Sequence, residues 1–180
     1  MAKTQAELLA DLAGRGFDVS TREHAPLRTV AESQALRGEI AGRHTKNLFL
    51  KDKKGSYFLV TVGEDALVDL KTIHSVIGAA GRVSFGSAKA LEELLGLAPG
   101  AVTPFGVVND EAGRVAAILD EELLRHDVVN AHPLVNTATT SIRPADLVAF
   151  MRAAGHEPAV LKVAVHSPNQ DVSPGRQRPS

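Results

Sequence analysis

Lys46 and Asn47 open an apolar run, Leu48-Phe49-Leu50, at a point where an ammonium can face a cleft. A charged tip follows, Lys51-Asp52-Lys53-Lys54-Gly55, and then a second apolar run from Tyr57 to Val62. Arg43, Lys46, Lys51, Lys53 and Lys54 set against Asp52 leave a local charge of +4 in a chain whose formal net charge is −1. Such a patch suits a polyanion such as RNA. A solvated lysine at a strand start is the competing reading of Lys46, and a solvated surface charge that of each tip lysine. The seven histidines show neither His-Glu-x-x-His nor His-x-His spacing, so the sequence offers no zinc motif. There is no cysteine, no serine in a nucleophile-elbow setting and no evident pair of carboxylates for acid–base work. Any chemistry must use oxygen, nitrogen or backbone groups.

These residues need a scaffold, and 180 residues that are 44% hydrophobic can bury one substantial core. A single domain over 1–166 is expected, with a polar, proline-rich tail over 167–180 expected to be disordered. No run of eighteen apolar residues could span a bilayer and no leader pattern opens the chain, so a cytoplasmic protein is the default. The near-neutral charge argues against broad coating of nucleic acid. Aromatic content of 4% without tryptophan argues against a broad stacking platform for single strands.

Thr4-Gln5-Ala6-Glu7 reads as a capping box opening a helix with Leu8, Leu9 and Leu12 on one side. Phe17 to Thr21 alternates like a strand, and Thr29-Val30-Ala31-Glu32 is a second capping box for a helix ending near Gly38. Asn47 to Lys51 and Tyr57 to Val62 form a hairpin in which Gly55 can take a positive φ. Asp69 to Ile77 has helical spacing, Arg82 to Phe85 is a short strand, and Ser87 caps a helix running to Gly96. Phe105 to Val108 and Arg114 to Leu119 read as a second hairpin, Asn136 to Ile142 as a threonine-rich strand, and Pro144 as the start of a last helix ending at Gly155. A strand from Ala159 to Val165 completes a mixed, mostly meandering sheet.

Read in order, several blocks resemble the free-standing prolyl-tRNA editing proteins, relatives of the editing domain inserted in bacterial prolyl-tRNA synthetases. They are Glu23-His24 with Pro26; Thr29-Val30-Ala31-Glu32-Ser33; Lys46 to Asp52; Pro99 to Gly106 with Asn109-Asp110; and His132-Pro133-Leu134 with Asn136-Thr137 and Thr139. The resemblance spans roughly residues 4 to 165. It implies the YbaK-like, prolyl-tRNA synthetase-associated fold, a mixed α/β structure with a curved, barrel-like sheet and surrounding helices. It also implies hydrolysis of alanine wrongly esterified to proline tRNA, with no metal and no cofactor.

The resemblance makes Lys46 the lysine at the pocket mouth, able to hold a phosphate or a substrate oxygen by charge-assisted hydrogen bonds. Asn47, on the opposite face of a regular strand, would support a neighbouring loop. Gly100-Ala101-Val102-Thr103-Pro104 fits the family's loop, in which backbone N–H groups face the ester carbonyl; glycine permits close approach and proline stiffens the exit. His132 would hydrogen-bond the substrate's amino group or shape the pocket floor. A histidine satisfied by backbone is its plain alternative, as a simple turn is for the loop. Water is then the nucleophile, assisted by the terminal adenosine's 2′-OH.

Selection for alanine must come from pocket size, since a methyl group offers nothing to hydrogen-bond. Leu27, Val30 and the segment Val102 to Phe105 are the candidate walls, though all could be core. Lys51, Lys53, Lys54 and Arg82 are the candidate tRNA contacts. The partners implied are alanine-charged proline tRNA and prolyl-tRNA synthetase. A cysteinyl-tRNA deacylase, a non-catalytic nucleic-acid-binding module and a plain interaction domain are the alternatives.

Overall fold

The computed structural model describes residues 1–26 and 30–165, without the side chains of Val30 and Ser33. The expected tail therefore lies outside the described residues, as do Leu27 and the capping Thr29. The first helix, α1 (Gln5–Gly14), starts as its spacing predicts: Thr4 Oγ1 accepts the Glu7 N–H and the Glu7 carboxylate accepts the Thr4 N–H, each at 3.2 Å. Leu8 and Leu12 are fully buried. Strand β1 (Ser20–Glu23) begins later than the Phe17–Thr21 alternation suggests. Phe17 and Val19 are spent on the core, and pairing starts only where Ser20 meets Ser141.

Helix α2 (Val30–Glu39) leads into β2 (Arg43–Lys51) and β3 (Tyr57–Gly63), the expected hairpin, with Lys46 opposite Val62 and Lys51 opposite Tyr57. Gly55 takes a φ of 82° at the tip, where an L side chain would be strained. Helix α3 (Ile73–Ile77) is shorter than the Asp69–Ile77 pattern suggests. Asp69 Oδ1 accepts the Lys71 N–H at 3.0 Å, a local side-chain bond that competes with helical backbone. Next come β4 (Ser84–Phe85) and α4 (Ala88–Leu95), the latter capped by Ser87 and closed by Gly96.

Phe105 to Val108 is not a strand, and no second hairpin forms. Thr103 and Pro104 start a 3-10 helix over Pro104–Asn109 that buries Phe105 edge-on to Phe150. Packing there overrides the β-propensity of the apolar run. Strand β5 (Val115–Asp120) instead runs parallel to β3, with Tyr57 opposite Val115. Strand β6 (Val129–Ala131) is too short for periodicity to reveal. Then follow β7 (Ala138–Ile142), α5 (Pro144–Ala153) and β8 (Ala159–Leu161), which stops short of the expected Val165. The sheet order is β1-β7-β6-β2-β3-β5-β8 with β4 on β2, so it is mixed rather than mostly meandering.

Alternating residues of β2 and β3 feed two apolar clusters. One gathers Leu8, Leu59, Phe105 and Phe150, the other Leu50, Val60, Val62 and Ile118. On one edge β2 pairs with β3 from Thr45 to Lys51. On the other edge it pairs with β6 only at residues 43–44 and with β4 only at 50–51. Among the described residues, the stretch 45–49 has no strand partner there, and this interruption holds the site.

Candidate active site

A cleft of about 250 Å³ opens at that interruption, bounded by residues 44–47 of β2, the Pro99–Val102 segment, residues 130–132 and Thr139. The fold thus brings together Lys46, Gly100 and His132, which lie far apart in the chain. The partly buried Lys46 ammonium donates to the Ala66 carbonyl at 2.5 Å, which fixes its direction before any ligand arrives.

Asn47 acts as a strut. Its Nδ2 donates to the Val102 carbonyl at 3.1 Å and its Oδ1 accepts the Thr61 hydroxyl at 2.6 Å, tying the loop to β3. Gly100 sits in a 3-10 turn, Pro99–Ala101, where an added Cβ would come within 3.3 Å of Asn136 Nδ2. The requirement there is for space. Of the expected walls, Val102 lines the cleft. Ala101 is buried, and Thr103, Pro104 and Phe105 are taken up by the 3-10 helix and the core. None of these four is among the residues that line the cleft. The helix that opens at Val30 places Leu36 against the cleft, a residue the sequence reading did not select.

His132 Nδ1 lies 3.0 Å from the Ala138 carbonyl, so Nδ1 carries the proton and the neutral ring keeps a lone pair on Nε2. Burial pushes its pKa below the usual histidine value; the Ala138 carbonyl opposes this, and the charge of His24 adds to the lowering. The two rings stand 6.4 Å apart. His24 is itself held by the Ala25 carbonyl and by Thr139 Oγ1, each at 2.9 Å. Sequence reasoning quoted His24 only within a block and gave it no role; nothing in its local context distinguishes it.

Behind His132, Leu134 has a φ of 68° and donates its N–H to the His132 carbonyl at 3.0 Å. A left-handed leucine is strained, and such turns persist where surrounding structure holds them. No sequence rule would place a leucine there. Among the described residues, no group of three or more histidines and carboxylates could hold a metal ion. No helix among them is long and apolar enough to cross a membrane.

His132 predicts a pH effect of definite sign. A neutral form favoured by folding means that the unfolded chain binds more protons between the lowered folded pKa and roughly 6.5, so stability rises with pH across that window. Urea unfolding at pH 5 and pH 7 should therefore show a larger acid loss in the wild type than in His132→Gln. Equal losses would remove His132 as the source.

Lys51, Lys53, Lys54 and Arg82 do not reach the cleft. Lys51 is five residues along β2 from Lys46, about 17 Å at the rise of a strand. The four lie exposed at the other end of the hairpin.

Comparison with known proteins adds to this geometry. A family model for the aminoacyl-tRNA editing domain matches residues 24–150. The chain is 38% identical over 135 residues to the prolyl-tRNA editing protein ProX of Acetoanaerobium sticklandii, covering 74% of this chain and 82% of that protein. It is 34% identical over 164 residues to prolyl-tRNA synthetase associated domain-containing protein 1 of Mus musculus, covering 89% and 96% of the two. A crystal structure of a proposed trans-editing enzyme for prolyl tRNA synthetase is 27% identical, with a TM-score of 0.65 over 90% of this chain and 99% of the other.

Proposed function

The chain belongs to the aminoacyl-tRNA editing domain family, and from that premise we propose that it frees proline tRNA of wrongly attached alanine, acting in trans on the charged tRNA. It is an aminoacyl-tRNA deacylase of the prolyl-tRNA editing kind. The observation that carries the finer reading is the convergence of Lys46, Gly100 and His132 on one small cleft. We take residues 1–166 as the editing domain, at work in the cytoplasm beside prolyl-tRNA synthetase.

In this reading the Lys46 ammonium holds a phosphate or ester oxygen of the terminal adenosine, a charge-assisted contact. Backbone N–H groups of the Gly100 loop face the ester carbonyl, where a fixed donor is typically worth on the order of 10²–10³ in rate. His132 Nε2 accepts a hydrogen bond from the alanine's amino group. Water attacks the carbonyl carbon with the adenosine 2′-OH taking part in the proton transfer. The bond to the ribose oxygen then breaks, releasing alanine and a free ribose hydroxyl. Val102 and Leu36 narrow the space for the amino-acid side chain, and a proline ring overfills it.

The test is deacylation of proline tRNA charged in parallel with alanine, proline, cysteine and serine. Rapid loss of alanine alone is expected. Preferential loss of cysteine would overturn the alanine assignment, and tRNA binding without cleavage of any ester would reduce the protein to a binding module.

A further inference from the structure

Of the six phenylalanines and one tyrosine, Phe85 alone is exposed, at 61%. Its position is built. Phe85 pairs with Leu50 on β2, and the Gly86 N–H donates to the Phe49 carbonyl at 2.9 Å while Gly86 lies against the Phe49 ring. Leu50 is four residues from Lys46, so the register places Phe85 on the face of the sheet that carries Lys46.

The cations around it are equally fixed. The Asp52 carboxylate accepts the N–H groups of Lys54, Ser56 and Ala80, each at 2.9 Å, clamping the hairpin tip to the loop at residues 78–82. The Ala80 amide, foremost among these donors, holds the Asp52 carboxyl below the usual carboxylate range. The Lys53 side chain lies over Gly81, whose φ of 80° and lack of a Cβ allow the approach. Lys51, opposite Ser84 and with its ammonium over the Tyr57 ring, faces the other side of the sheet and takes no part in this group. The result is one bare ring beside three exposed cations, Lys53, Lys54 and Arg82, with the only carboxylate of the tip turned inward.

We propose that Phe85 stacks on a base near the end of the tRNA acceptor strand while Lys53, Lys54 and Arg82 hold the flanking phosphates. An exposed apolar ring alone would suit a protein partner as well; the surrounding positive charge favours RNA. A single aromatic suffices because stacking accepts any base and the phosphates set the register. The separation of about 13 Å along β2 between Lys46 and Leu50, the residue opposite Phe85, lets the platform grip the strand while the ester lies in the cleft. The inference rests on the deacylase reading for its substrate, but its readout is separable.

Phe85→Ala, Phe85→Leu and Phe85→Tyr should be compared on alanyl-charged proline tRNA, on the alanyl ester of adenosine alone, and in binding of uncharged tRNA. The expected result is a rise in KM for the charged tRNA of on the order of tenfold in the alanine and leucine variants. Unchanged kcat, recovery in the tyrosine variant and no change on alanyl-adenosine should accompany it. Uncharged tRNA should weaken in parallel, and Lys53→Ala should flatten the salt dependence by about one ion. An unchanged KM for tRNA, or an equal rise on alanyl-adenosine, would overturn the proposal. If wild type cleaves neither ester, the deacylase reading fails, and uncharged-tRNA binding still decides for or against the platform.

Discussion

Replacing Lys46 by alanine should lower the rate of alanyl ester hydrolysis by on the order of 10²-fold or more with little change in thermal stability. The side chain takes no part in either apolar cluster, so its removal leaves the core intact. What is lost is a charge already aimed by the Ala66 carbonyl, a group that water can satisfy afterwards. A preorganised charge in a partly dry cleft is worth more in a transition state than in water, because it needs no reorganisation as the reaction proceeds. Single-turnover rates and KM should be measured together: a fall confined to the rate places Lys46 at the reacting centre, whereas a rise in KM alone makes it a handle for the tRNA phosphate. Lys46→Arg should recover only part of the loss, since a planar fork does not reproduce the ammonium's position. Full activity in Lys46→Ala would withdraw its role.

Asp110→Ala should destabilise the protein by about 3–5 kcal/mol, through a buried pair with no place in the chemistry. Burial by itself would raise the Asp110 carboxyl, but the hydrogen bond from His156 Nε2 at 2.9 Å and the N–H groups of Val115 and Arg114 bring it below the usual range. Both side chains are sealed from solvent, at 4% and 0% exposure. Removing the carboxylate strands an imidazole and two amide donors at the junction of the 3-10 helix, β5 and the end of α5. A depressed carboxyl adds stability above its unfolded value of roughly 3.9 and loses it as pH falls through the folded value. The wild type should therefore weaken more steeply than Asp110→Ala in acid. In chemical denaturation the double variant Asp110→Ala/His156→Ala should lose less than the two single losses combined. Additive losses would mean that the two side chains do not act as a pair.

The two predictions differ in how visible their residues were beforehand. Lys46 was legible because a charged side chain beside an apolar run is a local anomaly, and the ordered blocks gave it a role. Asn47 followed from strand alternation, and its bonds to Val102 and Thr61 fit that reasoning. The helix caps at Thr4 and Ser87 were local and came through for the same reason. What could not be read were the pairings. The interruption of β2 depends on where β4 and β6 stop, and a three-residue strand such as Val129–Ala131 leaves no periodic trace. Phe105 was misplaced because a phenylalanine near a binding loop and one beneath it look alike until Phe150 is brought against it. His24 and Leu134 owe their importance to neighbours distant in the chain or to a dihedral angle, neither of which residue type encodes.

The order of pairing also bears on how the protein is made. Strand β1 lies against β7, which is synthesised near the end of the described chain, while β2 meets β6 only after β3, β4 and β5 exist. A chain emerging from the ribosome carries Lys46 early, yet the wall containing His132 and Thr139 does not exist until β6 and β7 have been made. Pairings between strands so far apart in the chain cost loop entropy before their contacts form, which slows folding. The cleft is therefore complete only once β6 and β7 have joined the sheet beside β2.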